Sequence, residues 1–339
     1  MGTLWYGIVA SMIGVYVVLD GFDLGAGVLH RFIAQTESER RQVLAAFGPY
    51  WDGNEVWLLA AGGTLFFAFP RAYAVGFSGF YLPLMLVLWL LVLRGVSIEF
   101  RSHHESALWT LFWDSTLSLS SGLLAVVFGA ALGNIIRGVP IDASGYFSMG
   151  FFELHGPGVL DGYTVLVGAF TLVLLTTHGA LFLSWKTEGP VQTRARKVAR
   201  VAGGLALALL VVATVASHLV QPALFAVMGS RPLACVLAGV AALGIAAAVV
   251  GIVRGRDLLA FLGSSATIVG ILAATAALRY PILLPSTIDP SQSIAVHNAA
   301  AGEAGLAAGL WWWPIGLVLA CAYFTFLFHR FRGKARGGH

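Results

Sequence analysis

Residues 51–69 read WDGNEVWLLAAGGTLFFAF, and this stretch decides how the chain must fold. Its first seven residues place two carboxylates, Asp52 and Glu55, between two tryptophans, and an apolar run follows. An apolar segment of about 20 residues has the length of one transmembrane helix. The stretch therefore predicts a membrane helix with acids at its start, and an acid inside a membrane indicates a functional site or a buried partner.

The composition of the whole chain is typical of a polytopic membrane protein. Hydrophobic residues make up 58% of the 339 residues, charged residues make up 11%, and the mean hydropathy is +0.84. A soluble domain carries about 25% charged residues. No basic segment or cleavage site accompanies the first apolar stretch, so we expect a retained span rather than a signal peptide. Cys235 and Cys321 lie in apolar runs and indicate neither a disulfide nor a metal cluster.

Windows of about 20 apolar residues predict nine transmembrane helices. They lie at 4–29, 50–69, 73–97, 109–133, 158–184, 198–217, 231–253, 257–279 and 306–328. Sixteen of the twenty Lys and Arg residues then fall in the odd-numbered loops and the C-terminal tail. The positive-inside rule places the N-terminus outside and the C-terminus in the cytoplasm. Since the charge follows the topology, the pI near 9.2 does not indicate a nucleic-acid partner.

The predicted fold is all-α, with two four-helix bundles and one peripheral helix. Residues 1–133 form the first bundle, which holds nearly all the intramembrane polar residues. Residues 158–279 form the second bundle, rich in the small residues that let membrane helices approach closely. External loops occupy 134–157 and 280–305, and residues 306–339 form the ninth helix and a basic cytoplasmic tail.

Four intramembrane acids are candidate functional residues. Asp20 and Asp23 lie three residues apart on helix one, so they share a face, and Gly21 and Gly25 beside them predict close approach of a neighbouring helix. Asp52 and Glu55 have the same spacing at the start of helix two. Asp20 lies about 24 Å along helix one at about 1.5 Å per residue. All four acids are therefore expected in the cytoplasmic third, where a chain of carboxylates suits a proton relay.

The same acids also have a structural interpretation. Arg94, Glu99 and Arg101, at the inner end of helix three, are expected at the same level as charge partners. Asp20 or Asp23 can be neutralised there in an ion pair with Arg94. Acids in the first turn of a helix also complement the helix dipole. The residues alone leave the relay and the structural role open.

Histidine and tryptophan supply the remaining candidates. Of nine histidines, His178 lies clearly inside a span. No two histidines face each other at matched depth, so haem ligation by this chain is not expected. Trp51 fits the aromatic belt of a membrane interface, whereas Trp57 lies deeper and is only partly explained by it.

Taken together, the motifs closely resemble subunit II of the cytochrome bd-type quinol oxidases. The motifs are DGFDLG at 20–25, WDGNEVW at 51–57, GGTLF at 62–66, SGFY at 78–81, RGVSIEFR at 94–101, NIIRGVP at 134–140, HGA at 178–180, KTEG at 186–189 and PILLPSTIDPSQSIAVHNA at 281–299. The resemblance covers essentially the whole chain. The His178 segment and the short chain are more similar to the cyanide-insensitive branch of the family.

The resemblance implies a heterodimer with a larger subunit I. Subunit I carries two b haems, haem d and the quinol-oxidation loop, and subunit II supplies no haem ligand of its own but is needed for assembly. The complex oxidises quinol and reduces oxygen to water with protons from the cytoplasm, in a bacterial or archaeal cytoplasmic membrane. Some family members hold a quinone in subunit II as a structural lipid, and nothing in this sequence places one.

The resemblance also carries family roles onto particular residues. The proton-path aspartate falls on Asp52, the DGFD acids fall on Asp20 and Asp23, and the tryptophan of an oxygen route from the membrane falls on Trp57. Glu55 occupies a position where the family also has an amide, so its role as an acid stays open. A proton-coupled secondary transporter would use the same carboxylates, although broken helices and an internal repeat, which transporters commonly show, are not evident.

Overall fold

The computed structural model describes residues 1–153 and 156–335, so the last residues of the predicted basic tail lie outside the described part. The helices are α1 Gly2–Ile33, α2 Glu37–Phe47, α3 Trp51–Ala68, α4 Pro70–Gly79, α5 Tyr81–Phe100, α6 Ala107–Arg137, α7 Gly162–Lys186, α8 Gly189–Val220, α9 Pro222–Ala226, α10 Pro232–Arg254, α11 Asp257–Arg279, α12 Val296–Ala299 and α13 Glu303–Arg330. The described residues also form two short strands, β1 Ile282–Leu284 and β2 Ile294–Ala295, and three short 3₁₀ helices.

Eight helices within the described residues are long and apolar enough to cross a membrane: α1, α5, α6, α7, α8, α10, α11 and α13. This makes the chain a polytopic helical membrane protein. The 18-residue helix α3, which the sequence analysis counts as the second span, is not among the eight. Its polar first turns lower the mean hydropathy of the segment.

The long helices alternate between two ends of the molecule. One end, here the charge end, contains the end of α1, the start of α3, the end of α5 and the start of α6. The other, here the loop end, contains the start of α1 and the hairpin of β1 and β2, which pair antiparallel within the predicted loop 280–305. Both predicted external loops meet at the loop end, where Val139 pairs with Ser286. The fold therefore keeps its long connections away from the intramembrane acids.

The predicted third span is divided into α4 and α5. Gly79 ends α4 and Phe80 separates it from α5. Pro83 explains the division, because proline has no backbone N–H and cannot donate to the carbonyl of residue 79 in a continuous helix. The helix α2, between the first two predicted spans, begins with a capping box in which Thr36 and Glu39 satisfy each other's backbone N–H groups.

The helix α1 packs against α3, α6, α7 and α11. Its contact with α7 is a direct approach of two backbones at Gly25 and Gly179: a Cβ on Gly25 would fall against the backbone of α7, and one on Gly179 against the backbone of α1. The small-residue step at Gly21 and Gly25 thus brings a neighbouring helix close, as predicted. Close packing here positions the DGFD segment inside the helical core.

Candidate ion cluster and proton path

Asp20, Asp23, Asn54 and Arg94 form one buried ion cluster at the junction of α1, α3 and α5. All four side chains are fully buried. The Arg94 guanidinium donates to both carboxylate oxygens of Asp20, at 2.9 and 2.5 Å. The Asn54 amide donates to Asp23 at 2.7 Å and to the carbonyl of Leu19 at 3.1 Å. The structure thus brings the two DGFD acids together with Arg94, as predicted.

The two acids differ in how their charge is balanced. Arg94 binds Asp20 with two hydrogen bonds, whereas its nearest nitrogen lies 3.8 Å from Asp23. One oxygen of Asp23 and the oxygen of Asn54 are buried and have no hydrogen-bond partner among the residues that the structure describes. Burying an uncompensated charge is costly, and Asp23 is the less completely paired of the two acids.

Asp52 and Glu55 lead from the surface towards this cluster. Asp52 is exposed in the first turn of α3, and Glu55 is half-buried one turn further on. Glu55 interacts electrostatically with Asp52 on one side and with Arg94 and Asp20 on the other. The four predicted acids are thus arranged in order of depth, from Asp52 at the charge end to the buried cluster.

Arg101 belongs to a second cluster. It donates to Asp114 at 2.5 Å and to Glu37 at 2.8 Å, and His30 lies 2.7 Å from the same Asp114 carboxylate. Asp114 and His30 are buried. This arrangement binds α2 to the ends of α1, α5 and α6 by charged hydrogen bonds.

The structure separates the three predicted charge partners. Arg101 lies two helical turns, about 10 Å, beyond Arg94, and so reaches Asp114 rather than the acids of α1. Glu99 is exposed and its side chain makes no ion pair within the described residues, because five helical residues turn it away from the face of Arg94. Of the three, Arg94 alone pairs with the DGFD acids.

Four residues of these clusters were not singled out from the sequence: Asn54, Asp114, Glu37 and His30. Asp114 lies in the second turn of α6, where a lone acid is easily interpreted as a complement to the helix dipole. Asn54 stands in the WDGNEVW motif beside two stronger candidates. The signal that could have found Asp114 is its depth, since it lies inside the fourth predicted span and so required a partner.

His178 has no nitrogen left for a metal. Its Nδ1 is hydrogen-bonded to the Ser264 hydroxyl at 2.7 Å and its Nε2 to the carbonyl of Val18 at 3.0 Å. The ring is buried and stacks on Phe261 at 4.9 Å. These contacts do not fit an axial haem ligand, and within the described residues no three His, Cys, Asp or Glu side chains form a metal-binding group.

Trp57 is half-buried between α3 and α13. Its ring lies 6.1 Å from that of Phe324, at a tilt of 37°. A half-buried indole at a helix–helix seam faces the apolar part of the membrane on one side and the protein on the other. Its position is compatible with a route from the membrane into the protein, and equally with simple packing.

The fold and the clusters define a class: a multi-pass helical membrane protein that holds a carboxylate pair, with one arginine, inside its bundle. The model of the family described as cytochrome bd terminal oxidase subunit II matches residues 1–331. The chain belongs to this family, and it is therefore one subunit of a terminal oxidase complex.

Individual relatives of this chain are subunits of the same kind of oxidase. The chain is 32% identical to the probable cytochrome oxidase subunit 2 of Haemophilus influenzae, over 98% of this chain and 94% of the relative. It is 30% identical to the cytochrome bd-I ubiquinol oxidase subunit 2 of Escherichia coli, over 91% and 88%. It is 32% identical to the cytochrome bd ubiquinol oxidase subunit 2 of Bacillus subtilis, over 89% and 87%.

A solved structure supports the fold. A chain of the bd oxidase from Geobacillus thermodenitrificans superimposes with a TM-score of 0.77, covering 98% of both chains at 16% identity. At that identity the likeness concerns the fold alone.

Proposed function

We propose that this chain is the haem-free subunit II of a quinol:oxygen oxidoreductase in a bacterial cytoplasmic membrane. It pairs with a subunit I that carries the haems, supports assembly of that subunit, and delivers protons from the cytoplasm for the reduction of oxygen to water. The family supports the oxidase, and relatives named ubiquinol oxidase subunits support quinol as the reductant. The hydrogen bonds of His178 occupy both of its ring nitrogens, so this residue is not a haem ligand in the proposal.

We further infer nine spans, with α3 as the ninth. Its 18 residues extend about 27 Å at 1.5 Å per residue, close to the thickness of the hydrocarbon core. It begins at the charge end, and the carbonyl of its last residue, Ala68, accepts a hydrogen bond from Ala301 at the loop end. With the basic residues concentrated at the charge end, this topology places the charge end in the cytoplasm and the N-terminus outside.

We propose that the helices group into two four-helix bundles and one peripheral helix. The first bundle contains α1, α3, α5 and α6, the second contains α7, α8, α10 and α11, and α13 is the peripheral helix. The predicted domain limits at 1–133, 158–279 and 306–339 follow this grouping, with the external loops between them.

The proton path runs from Asp52 through Glu55 to the buried ion cluster. The single observation that carries it is the presence of two fully buried carboxylates beside one guanidinium. Asp20 is held as the partner of Arg94, and Asp23 is the group that takes up and releases a proton. Glu55 connects this pair with the exposed Asp52.

A second candidate function for the acids is purely structural, and the bidentate pair of Asp20 with Arg94 favours it. The two functions differ in what the loss of Asp52 does. A proton path loses turnover in each assembled complex, whereas a scaffold loses assembly.

The test is the Asp52→Asn variant, co-expressed with subunit I and purified by a tag on this chain. Haem content per complex should remain near wild type, while oxygen consumption per haem should fall about tenfold, below the hundredfold or more of a directly acting acid–base group. Glu99→Gln is the matched control, because it removes an exposed acid of the same end. Wild-type turnover per haem in Asp52→Asn, or an equal loss in Glu99→Gln, would refute the path.

We place Trp57 on the proposed oxygen access route. Its half-buried position between α3 and α13, against Phe324, supports this placement. Quinol and oxygen remain substrates of the complex rather than ligands of this chain.

A further inference from the structure

The helix α8 is longer than a membrane requires. Its 32 residues extend about 48 Å, whereas the hydrocarbon core is about 30 Å thick. Residues 201–220, which contain no Lys, Arg, Asp or Glu, are sufficient to cross that core. The first twelve residues, ending at Arg200, therefore stand in the headgroup layer at the charge end.

This projecting part of α8 carries a basic recess of about 400 Å³. The recess is lined by Thr193, Arg194, Arg196, Lys197 and Arg200. A recess with this lining attracts an anion to the extent that its basic side chains are not already paired with acids of the protein.

Two of the four basic residues have partners in the protein. Arg194 donates to Glu39 at 2.7 Å and to the carbonyl of Ile33 at 2.7 Å. Arg196 donates to Asp257 at 2.9 and 2.6 Å. These two arginines fasten α8 to its neighbours and their charges are compensated.

Lys197 and Arg200, unlike Arg194 and Arg196, have no acidic partner among the described residues. Both are exposed, and neither has a hydrogen-bond or ion-pair partner in residues 1–153 and 156–335. They lie three residues apart, so they share one face of the helix. Two uncompensated positive charges thus stand side by side at the boundary between headgroups and hydrocarbon.

The same face continues as an apolar surface along the membrane-crossing part. Gly204 follows Arg200 by four residues, and a Cβ on it would meet nothing within 4 Å. Val211 and Val215, further along this face, are 63% and 54% exposed. The face therefore combines a cationic head with an open apolar tail, which is the complement of a phospholipid.

We propose that this face of α8 binds one anionic phospholipid. Lys197 and Arg200 hold its phosphate, and an acyl chain lies along the open surface from Gly204 to Val215. A soluble phosphate would use the charges but not the apolar face. Arg200 lies immediately before the hydrocarbon segment, at the depth of a lipid phosphate.

Binding of phosphatidylglycerol to the delipidated complex, titrated by native mass spectrometry, tests the proposal. A basic residue near an anionic lipid contributes about fivefold in affinity, so Lys197→Gln with Arg200→Gln should weaken binding about 25-fold. The matched control is Arg254→Gln with Arg256→Gln, which removes two exposed charges at the same end. It should change the affinity less than about twofold. Since all four residues are exposed, the haem spectrum and the turnover in detergent should remain those of the wild type.

Three results would overturn the proposal. Unchanged binding in the Lys197 and Arg200 variant would show that these charges hold no lipid. An equal loss in the control would show a diffuse charge effect. Displacement of the lipid by glycerol 3-phosphate at equal concentration would show a site for free phosphate, without the acyl contact. None of these results depends on the proposed proton path, which is tested separately by turnover.

Discussion

Replacing Arg94 with glutamine removes the guanidinium that pairs with Asp20 inside the helical bundle. Both side chains are fully buried, and the pair makes two hydrogen bonds at 2.9 and 2.5 Å. The variant leaves Asp20 without a compensating charge, close to Asp23. Removing one partner of a buried ion pair costs about 3–5 kcal/mol, because the other charge remains buried.

This cost corresponds to a factor of about 150 to 4,000 in the folding equilibrium. We expect Arg94→Gln to lower the yield of assembled, haem-bearing complex and its melting midpoint by about 5–10 °C. Adding Asp20→Asn removes the unpaired buried charge, so the double variant should recover most of the loss and retain a deficit of about 1–2 kcal/mol for lost hydrogen bonds.

The assay is thermal unfolding of the purified complex, with the single and double variants measured in the same detergent. Arg254→Gln serves as the control, since this arginine is exposed and surface substitutions change stability by about 0.5 kcal/mol or less. The charge argument is refuted if the double variant has the same melting midpoint as the single variant. It is also refuted if the single variant has the same melting midpoint as the wild type.

Three further outcomes are expected. Trp57→Ala should raise the oxygen concentration at half-maximal rate more than it lowers the maximal rate, and an unchanged oxygen titration would remove Trp57 from the access route. Gly25→Ala should reduce assembly strongly because its methyl group meets the backbone of α7, whereas Gly204→Ala, in open space, should be neutral or stabilising by up to about 1 kcal/mol. The hydrogen bonds from Arg101 hold the pKa of Glu37 below its usual 4.5, so this pair stabilises the fold above that pH and the stabilisation is lost as the pH falls through the lowered pKa. The melting midpoint of Glu37→Gln should therefore fall less steeply at acid pH than that of the wild type. Parallel plots of melting midpoint against pH would contradict this reasoning.

Much of the local structure could be predicted from the chain. Eight of the predicted spans correspond to helices that are long and apolar enough to cross a membrane. Helix α2 and the break in the third span were not predicted from the sequence, although Thr36, Glu39 and Pro83 carry local signals for them. These signals act within a few residues, so they do not depend on the rest of the fold.

The candidate site could be predicted only in part. The family motifs contain the segments whose side chains form the buried ion cluster, and Arg94 was identified as a partner of the DGFD acids. The grouping of Arg101 with Asp114 could not be predicted, because their contact also requires α2 and the end of α1 to pack against them. The roles of the relay acids remain predictions that the Asp52 experiment tests.

The amino-acid sequence by itself determined that this chain is a multi-pass membrane protein and approximately where its long apolar helices lie. Transfer of a segment into a membrane depends on the composition of that segment, so the information is local. Only the tertiary structure decided which of the two acids, Asp20 or Asp23, has its negative charge balanced by an arginine. Asp20 and Asp23 have the same chemistry and lie three residues apart, yet Arg94, 74 residues further along the chain from Asp20, lies 2.5 Å from one and 3.8 Å from the other. That difference arises because electrostatic pairing depends on distances between helices, and the packing of α1 against α5 sets them.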